Sequence, residues 1–184
     1  ANADHCIAVR GNHDEVVIRE FLKHLDGTEL AEKNQWMKQL NKSHLNYLSQ
    51  LPYTIALPSL NVTVVHAGLV PNQALENQEA QHMVSMRNLI ESKSGGSQTV
   101  AYEATSSGKN GQPWASLWNG PVHIYFGHDA ARRLQEYPFA TGLDTGVVYG
   151  GSLTAKFVMG PRKGEYLAMK ALQMWKDPFA EKAA

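Results

Sequence analysis

The stretch Arg10-Gly11-Asn12-His13-Asp14 follows a short apolar run, His5-Cys6-Ile7-Ala8-Val9. An apolar run that stops at a polar turn has the shape of a strand end. In an open α/β sheet, ligands collect at the carboxyl ends of strands. Gly11 lets the backbone bend or approach a neighbour closely. Asn12 offers a neutral amide oxygen, His13 a titratable imidazole, and Asp14 a carboxylate able to orient that imidazole. Taken alone, the same residues also fit a surface turn followed by a helix N-cap.

The pattern recurs twice. Val62-Thr63-Val64-Val65 runs into His66-Ala67-Gly68, and Val122-His123-Ile124-Tyr125-Phe126 runs into Gly127-His128-Asp129. A lone histidine at a strand end is more often structural than a ligand. Three in one chain, each with a neighbouring glycine making room, fit a shared site. Asn12, His66 and His128 together suit a divalent ion, because imidazole nitrogen favours zinc or iron and amide oxygen favours harder ions such as manganese. His13 sits beside this set, where a general acid belongs. All three candidate ligands are neutral, whereas a two-metal hydrolytic site usually needs carboxylates. The chain has six Asp, and of these Asp14, Asp129 and Asp144 lie near the motifs without an obvious bridging role.

Between these landmarks the pattern predicts helices over residues 15–25, 34–51 and 78–91, the last carrying Met83, Met86, Arg87 and Ile90. His44 falls on the apolar face of the second helix and reads as a packed core histidine. Residues 53–57 and 62–65 read as a hairpin. Residues 92–120 read as a long Ser/Gly-rich loop with Tyr102, Trp114 and Trp118 as anchors, whose expected role is packing rather than base stacking. Strands are predicted near 139–143, 153–159 and 166–169, with a turn at 160–164 and a surface tail over 175–184.

The 184 residues argue for one domain with a sizeable core. Basic and acidic residues balance at 17 each, so no basic stripe points to DNA. No apolar run reaches the roughly 18 residues of a membrane span. Cys6 is the single cysteine, which excludes an internal disulfide and leaves the compartment open.

Gly11-Asn12-His13-Asp14, His66-Ala67-Gly68-Leu69 and Gly127-His128 resemble, in order, the last three signature motifs of the calcineurin-like metallophosphoesterases, the superfamily of the serine/threonine protein phosphatases. Met86-Arg87-Asn88, Trp118-Asn119-Gly120-Pro121, Phe126 to Ala130, Thr141 to Gly151 and Leu153-Thr154-Ala155 look like the branch similar to bacterial diadenosine tetraphosphate hydrolase. That branch includes a fungal endopolyphosphatase and a trypanosome mRNA-decapping enzyme. The resemblance implies an α/β fold, a metallophosphoesterase β-sandwich flanked by helices, with two divalent ions (Mn, Zn, Fe or Co). By motif position Asn12, His66 and His128 would bind the second ion. His13 would protonate the leaving group, Asp14 would orient it, and Arg87 would hold phosphate. Many protein phosphatases have Glu at the Asp14 position, which disfavours that subgroup.

The implied activity is hydrolysis of phosphoester or phosphoanhydride bonds by attack of metal-bound hydroxide. Dinucleoside polyphosphate, polyphosphate and phosphoprotein are the substrate classes, with no DNA partner. The family's first two motifs, an Asp-x-His and a bridging Asp, do not occur ahead of His5. The chain is therefore expected to be the C-terminal portion, 1–184, of a single catalytic domain, incomplete at its N-terminus. The competing reading is a non-catalytic metal- or phosphate-binding module, a degenerate homologue lacking the first metal site. The compartment stays open, with the cytoplasm favoured and a vacuole compatible with a polyphosphatase-like protein.

Overall fold

A computed structural model describes residues 6–92 and 101–177. Helix α1 (Asn12–Leu25) leads through a 3₁₀ segment (Glu32–Gln39) to α2 (Lys42–Gln50). Strands β1 (Thr54–Leu57) and β2 (Val62–Val65) follow, then α3 (Ala80–Ser85) and β3 (Asn88–Ser92). Next come β4 (Ala101–Thr105), β5 (Gln112–Pro113), α4 (Trp114–Leu117) and β6 (His123–Phe126). The chain continues through β7 (Gln135–Tyr137), β8 (Ala140–Gly142), β9 (Asp144–Thr145), β10 (Ser152–Lys156) and β11 (Tyr166–Lys170).

A five-stranded sheet in the order β1-β2-β6-β8-β7 carries the architecture. β1 and β2 form the expected hairpin, registered from Thr54↔Val65 to Leu57↔Val62. Its turn is closed by Pro58–Leu60 and by Asn61 in the left-handed region at φ 51. β2 pairs with β6, and β6 with β8, in parallel. Parallel neighbours put their carboxyl ends on one edge of the sheet. That edge receives His66 after β2, Gly127-His128 after β6 and Asp144 beyond β8. Two three-stranded sheets, β11-β10-β9 and β4-β3-β5, complete the mixed α/β fold.

The main core joins sheet and flank. Val65, Ile124, Phe126 and Ala140 from the strands pack with Leu69, Met83, Met86, Leu89 and Trp114. The Trp114 ring meets Phe126 edge-on at 4.8 Å and Trp118 at 6.3 Å, an arrangement aromatic quadrupoles favour. A smaller cluster of Phe21, Leu30 and Met37 fastens α1 to the 3₁₀ segment.

Several expected elements differ. Residues 6–10 form no strand ladder, and Ile7 is 75 % exposed; Arg10 N–H donates to Pro52 O at 2.8 Å instead. The single helix expected over 34–51 is two elements. Asn41 Oδ1 accepts from Ser43 N and His44 N at 2.9 and 3.2 Å, an N-cap that starts α2 afresh. His44 is exposed, not packed in the core, because its Nδ1 faces Asn41 N at 3.2 Å to complete that cap. The helix expected over 78–91 ends at Ser85. Met86 turns extended at ψ 139, and Asn88 to Ser92 are taken into a ladder with β4. Arg87 therefore stands on a link between helix and strand.

The loop expected over 92–120 contains β4, β5 and α4, and residues 93–100 of it lie outside the described residues. Its anchor Trp114 is core, as expected, at 2 % exposure. Of the tail, Trp175 is exposed and residues 178–184 lie outside the described ones.

Candidate functional site

The Gly-Asn-His turn is fastened from below by Arg10. Its Nη1 donates to Glu15 Oε1 at 3.2 Å and Tyr53 Oη at 3.1 Å, and its Nη2 donates to Ser49 O. Tyr53 Oη donates in turn to Glu15 Oε1 at 2.7 Å. These contacts tie the start of α1 to α2 and β1. Asn12 and His13 are thereby held in the first turn of α1, Asn12 half-buried and His13 exposed.

On the sheet edge, Gly127 N–H donates to His66 O at 2.9 Å, and Ala67 N–H to Met83 O at 2.8 Å. The loop after His66 is pinned by the buried Gln78, whose amide accepts from Val70 N at 2.9 Å and donates to Val70 O at 2.8 Å. His66 and His128 consequently face each other with ring centroids 5.1 Å apart. Asn12 Oδ1 lies 3.0 Å from His66 Nε2. Two donors of one ion, each about 2.0–2.2 Å from it, stand roughly 3 Å apart, so this spacing fits a shared coordination shell. It also fits a direct hydrogen bond from the imidazole N–H. His128 Nε2 is 3.1 Å from Ser85 O, a geometry that places the proton on Nε2 and leaves the Nδ1 lone pair free. The structure thus brings Asn12, His66 and His128 together from three distant segments.

Burial keeps both imidazoles neutral, the form that ligates a cation. His66 is lowered from the ordinary value chiefly by desolvation, with Asp14 and Asp144 opposing and His13 and Arg87 assisting. His128 is lowered to about 4, again chiefly by desolvation, helped by the charges of Arg87 and His66. Among the described residues no group of three His, Cys, Asp or Glu side chains could hold a metal ion. The candidate set is assembled only by including the Asn12 amide oxygen.

The three motif glycines do different jobs. A Cβ on Gly11 would sit 2.9 Å from His66 Cε1, so the glycine lets the histidine ring lie against the turn. A Cβ on Gly68 would meet the Trp114 indole at 2.6 Å, which makes Gly68 a packing residue of the core. Gly127 faces only His66 O at 3.7 Å, an ordinary contact. Asp14 was expected to orient His13. Its Oδ2 accepts Gly11 N–H at 2.7 Å, capping α1.

Arg87 reaches the site from the α3–β3 link. It donates from Nη1 to Ser106 O at 2.9 Å and from Nη2 to His128 O at 3.5 Å, with Nε 3.8 Å from Asp129 Oδ1. It lines a cavity of about 300 Å³ together with His128, Arg133 and Tyr149. The sequence reading gave Arg133 and Tyr149 no role. Two signals stood in the chain: a second arginine directly after Arg132, and the glycines at 146 and 151 that make room for it. His128 and Arg133 both adopt positive φ, 67 and 62. Non-glycine residues held in that region cost about 1–3 kcal/mol and cluster at functional sites.

Against known proteins, no family model matches the chain, and no curated protein matches it. Among solved structures it is similar to one described as the "Crystal structure of a putative diadenosine tetraphosphatase", at 37 % identity and a TM-score of 0.74. The likeness covers 90 % of this chain and 68 % of that one. The chain belongs to that protein's family, in keeping with a metallophosphoesterase-like fold.

Proposed function

We propose that the protein is a metal-dependent phosphohydrolase acting on phosphoester or phosphoanhydride bonds. The observation that carries this reading is the convergence of Asn12, His66 and His128 beside the Arg87 cavity. The related structure's description as a "putative diadenosine tetraphosphatase" supports it and makes dinucleoside polyphosphates the first substrates to test, followed by polyphosphate and phosphoprotein.

Asn12 Oδ1, His66 Nε2 and His128 Nδ1 would hold a divalent ion such as manganese or zinc. That ion would supply positive charge and acidify water near neutral pH. Arg87 offers a guanidinium fork that matches phosphate oxygens and would steady charge developing on them. His13, exposed in the first turn of α1 and close enough for its charge to act on His66, would donate an imidazole proton to the leaving oxygen. Asp14 fixes the turn from which His13 projects.

The test is His13→Ala, assayed on diadenosine tetraphosphate and p-nitrophenyl phosphate with manganese, alongside calorimetric manganese binding. Loss of a general acid costs roughly 10²–10⁴ in turnover, with metal affinity retained. Unchanged turnover removes His13 from the mechanism. The neutral ligand set favours one other reading, a non-catalytic metal- or phosphate-binding module. Wild-type protein that binds manganese and phosphate but hydrolyses neither compound establishes that module instead.

A further inference from the structure

Arg132 and Arg133 are adjacent, yet the fold uses them in opposite ways. Arg132 is consumed by structure. Its Nη1 pairs with the buried carboxylate of Asp129, and its Nη2 donates to Asn88 Oδ1 at 2.7 Å and Gly108 O at 3.1 Å. Asn88 is itself 1 % exposed and donates to Asn110 O at 2.7 Å, so this network is closed.

Arg133 makes no ion pair among the described residues. Its guanidinium is nonetheless held in place: Nη1 donates to Thr145 O at 2.6 Å. The seat is cut by glycines, since a Cβ on Gly146 would lie 2.5 Å from that Nη1 and one on Gly151 2.4 Å from it. A positive-φ backbone, a glycine cradle and a single backbone acceptor fix one charge at the wall of the cavity that Arg87, His128 and Tyr149 also line. Asp129 on the same segment is already paired with Arg132 and close to Arg87, and Asp144, beside Thr145, accepts Gly146 N–H without forming an ion pair with Arg133. The remaining donors of Arg133 are left for a ligand, and a guanidinium fork is suited to phosphate.

From this we infer that Arg133 is a specificity-determining residue: it binds the phosphate next to the one engaged by Arg87, so that the site selects ligands carrying adjacent phosphates over single ones. This rests on the phosphohydrolase reading for the position of the reacting phosphate. The ligand class is a chain of at least two phosphoryl groups joined by an anhydride. Two guanidiniums lining one cavity match its clustered negative charge, and a monoester engages only one of them.

Wild type, Arg133→Ala and Arg133→Lys are compared in two measurements. Calorimetry on protein purified without added metal gives the affinities for inorganic tripolyphosphate and orthophosphate. Manganese-supported hydrolysis gives kcat/KM for tripolyphosphate and for p-nitrophenyl phosphate. Arg133→Ala is expected to weaken tripolyphosphate binding at least tenfold more than orthophosphate binding, and to lower the ratio of the two kcat/KM values at least tenfold. Lysine restores part of each loss, which a purely packing role would not produce.

Equal losses for the two ligands overturn the inference, as does a wild type that binds tripolyphosphate no tighter than orthophosphate. If hydrolysis proceeds with an unmoved ratio, the second-phosphate role fails while the hydrolase reading stands. If nothing is hydrolysed but the binding difference depends on Arg133, the hydrolase reading fails and the subsite stands.

Discussion

Gly11→Ala isolates the geometry of the candidate metal site from the stability of the fold. Gly11 has φ −108 and ψ 173, extended backbone that alanine adopts without strain. The added methyl carbon would lie 2.9 Å from His66 Cε1 and 3.0 Å from Nδ1. Carbon atoms prefer roughly 3.5–4.0 Å, so the imidazole must retreat by about 0.6 Å or more. The Asn12 Oδ1–His66 Nε2 spacing of 3.0 Å opens with it. Disturbing the support of a metal ligand typically costs about 10- to 100-fold in affinity, equivalent to about 1.4–2.7 kcal/mol. Overpacking should remove about 1–3 kcal/mol of stability, which leaves the variant folded enough to titrate.

The control is Gly127→Ala, whose methyl would meet His66 O at an ordinary 3.7 Å. It is expected to bind manganese within about 0.5 kcal/mol of wild type. Calorimetric titration with manganese, after circular dichroism confirms folding, reads the difference directly. Equal manganese affinity in the two folded variants refutes the claim that Gly11 sets the position of His66 for a metal.

Trp114→Ala should be the most damaging core change, because the ring is 2 % exposed and packs on Phe126, Trp118 and Gly68. A loss of about 3–5 kcal/mol is expected, read as a Tm lower by about 6–20 °C. His123, whose Nε2 is 2.9 Å from Thr141 Oγ1, is lowered from its ordinary pKa by burial first and by Lys156 second. The neutral form is thus favoured in the fold, and the stability tied to it is present above the unfolded value near 6.5 and lost as pH falls below it. His123→Gln should reduce the drop in Tm between pH 7 and pH 5, leaving the share of His66 and His128; an unchanged drop removes His123 as a contributor. Manganese and phosphate should each strengthen the binding of the other, by reciprocal linkage between opposite charges in one site. Manganese titrations with and without orthophosphate check this, and independent binding refutes a shared site.

What could be read from the chain divides by range. The hairpin of residues 54–65 and the strand ending at Phe126 were legible because alternation and a short turn are local signals. So was the meeting of His66 and His128, since each follows an apolar run and parallel strands deliver their ends to one edge. The helix expected over 78–91 failed at Met86, where apolar spacing still looked helical; pairing of Asn88–Ser92 with Ala101–Thr105 overrode it, and that pairing is non-local. His44 misled for the opposite reason. Its spacing matched an apolar face, but Asn41 two residues past the 3₁₀ segment captures it in a cap. Arg133 was passed over because its value depends on φ and on where Gly146 and Gly151 come to lie against it; the arginine pair and the glycines are visible in the chain, but hydrophobic patterning does not connect them.

The shortage of carboxylates noticed in the sequence has a structural counterpart. Each aspartate near the motifs is already engaged: Asp14 accepts Gly11 N–H, Asp129 is held by Arg132, and Asp144 accepts Gly146 N–H at 2.9 Å. These bonds are structural, one capping a helix, one closing a buried network and one shaping the glycine turn that seats Arg133. A carboxylate spent in this way offers less to a cation than a free one. The side chains of Asn12, His66 and His128 are themselves neutral, with Asp14 and Asp144 acting on His66 only through their charge from outside the set, while Arg87 and Arg133 add positive charge at the rim. Phosphate then does more than occupy the site: its charge supplies what the protein's own ligand set lacks, so metal and phosphate would be held best together.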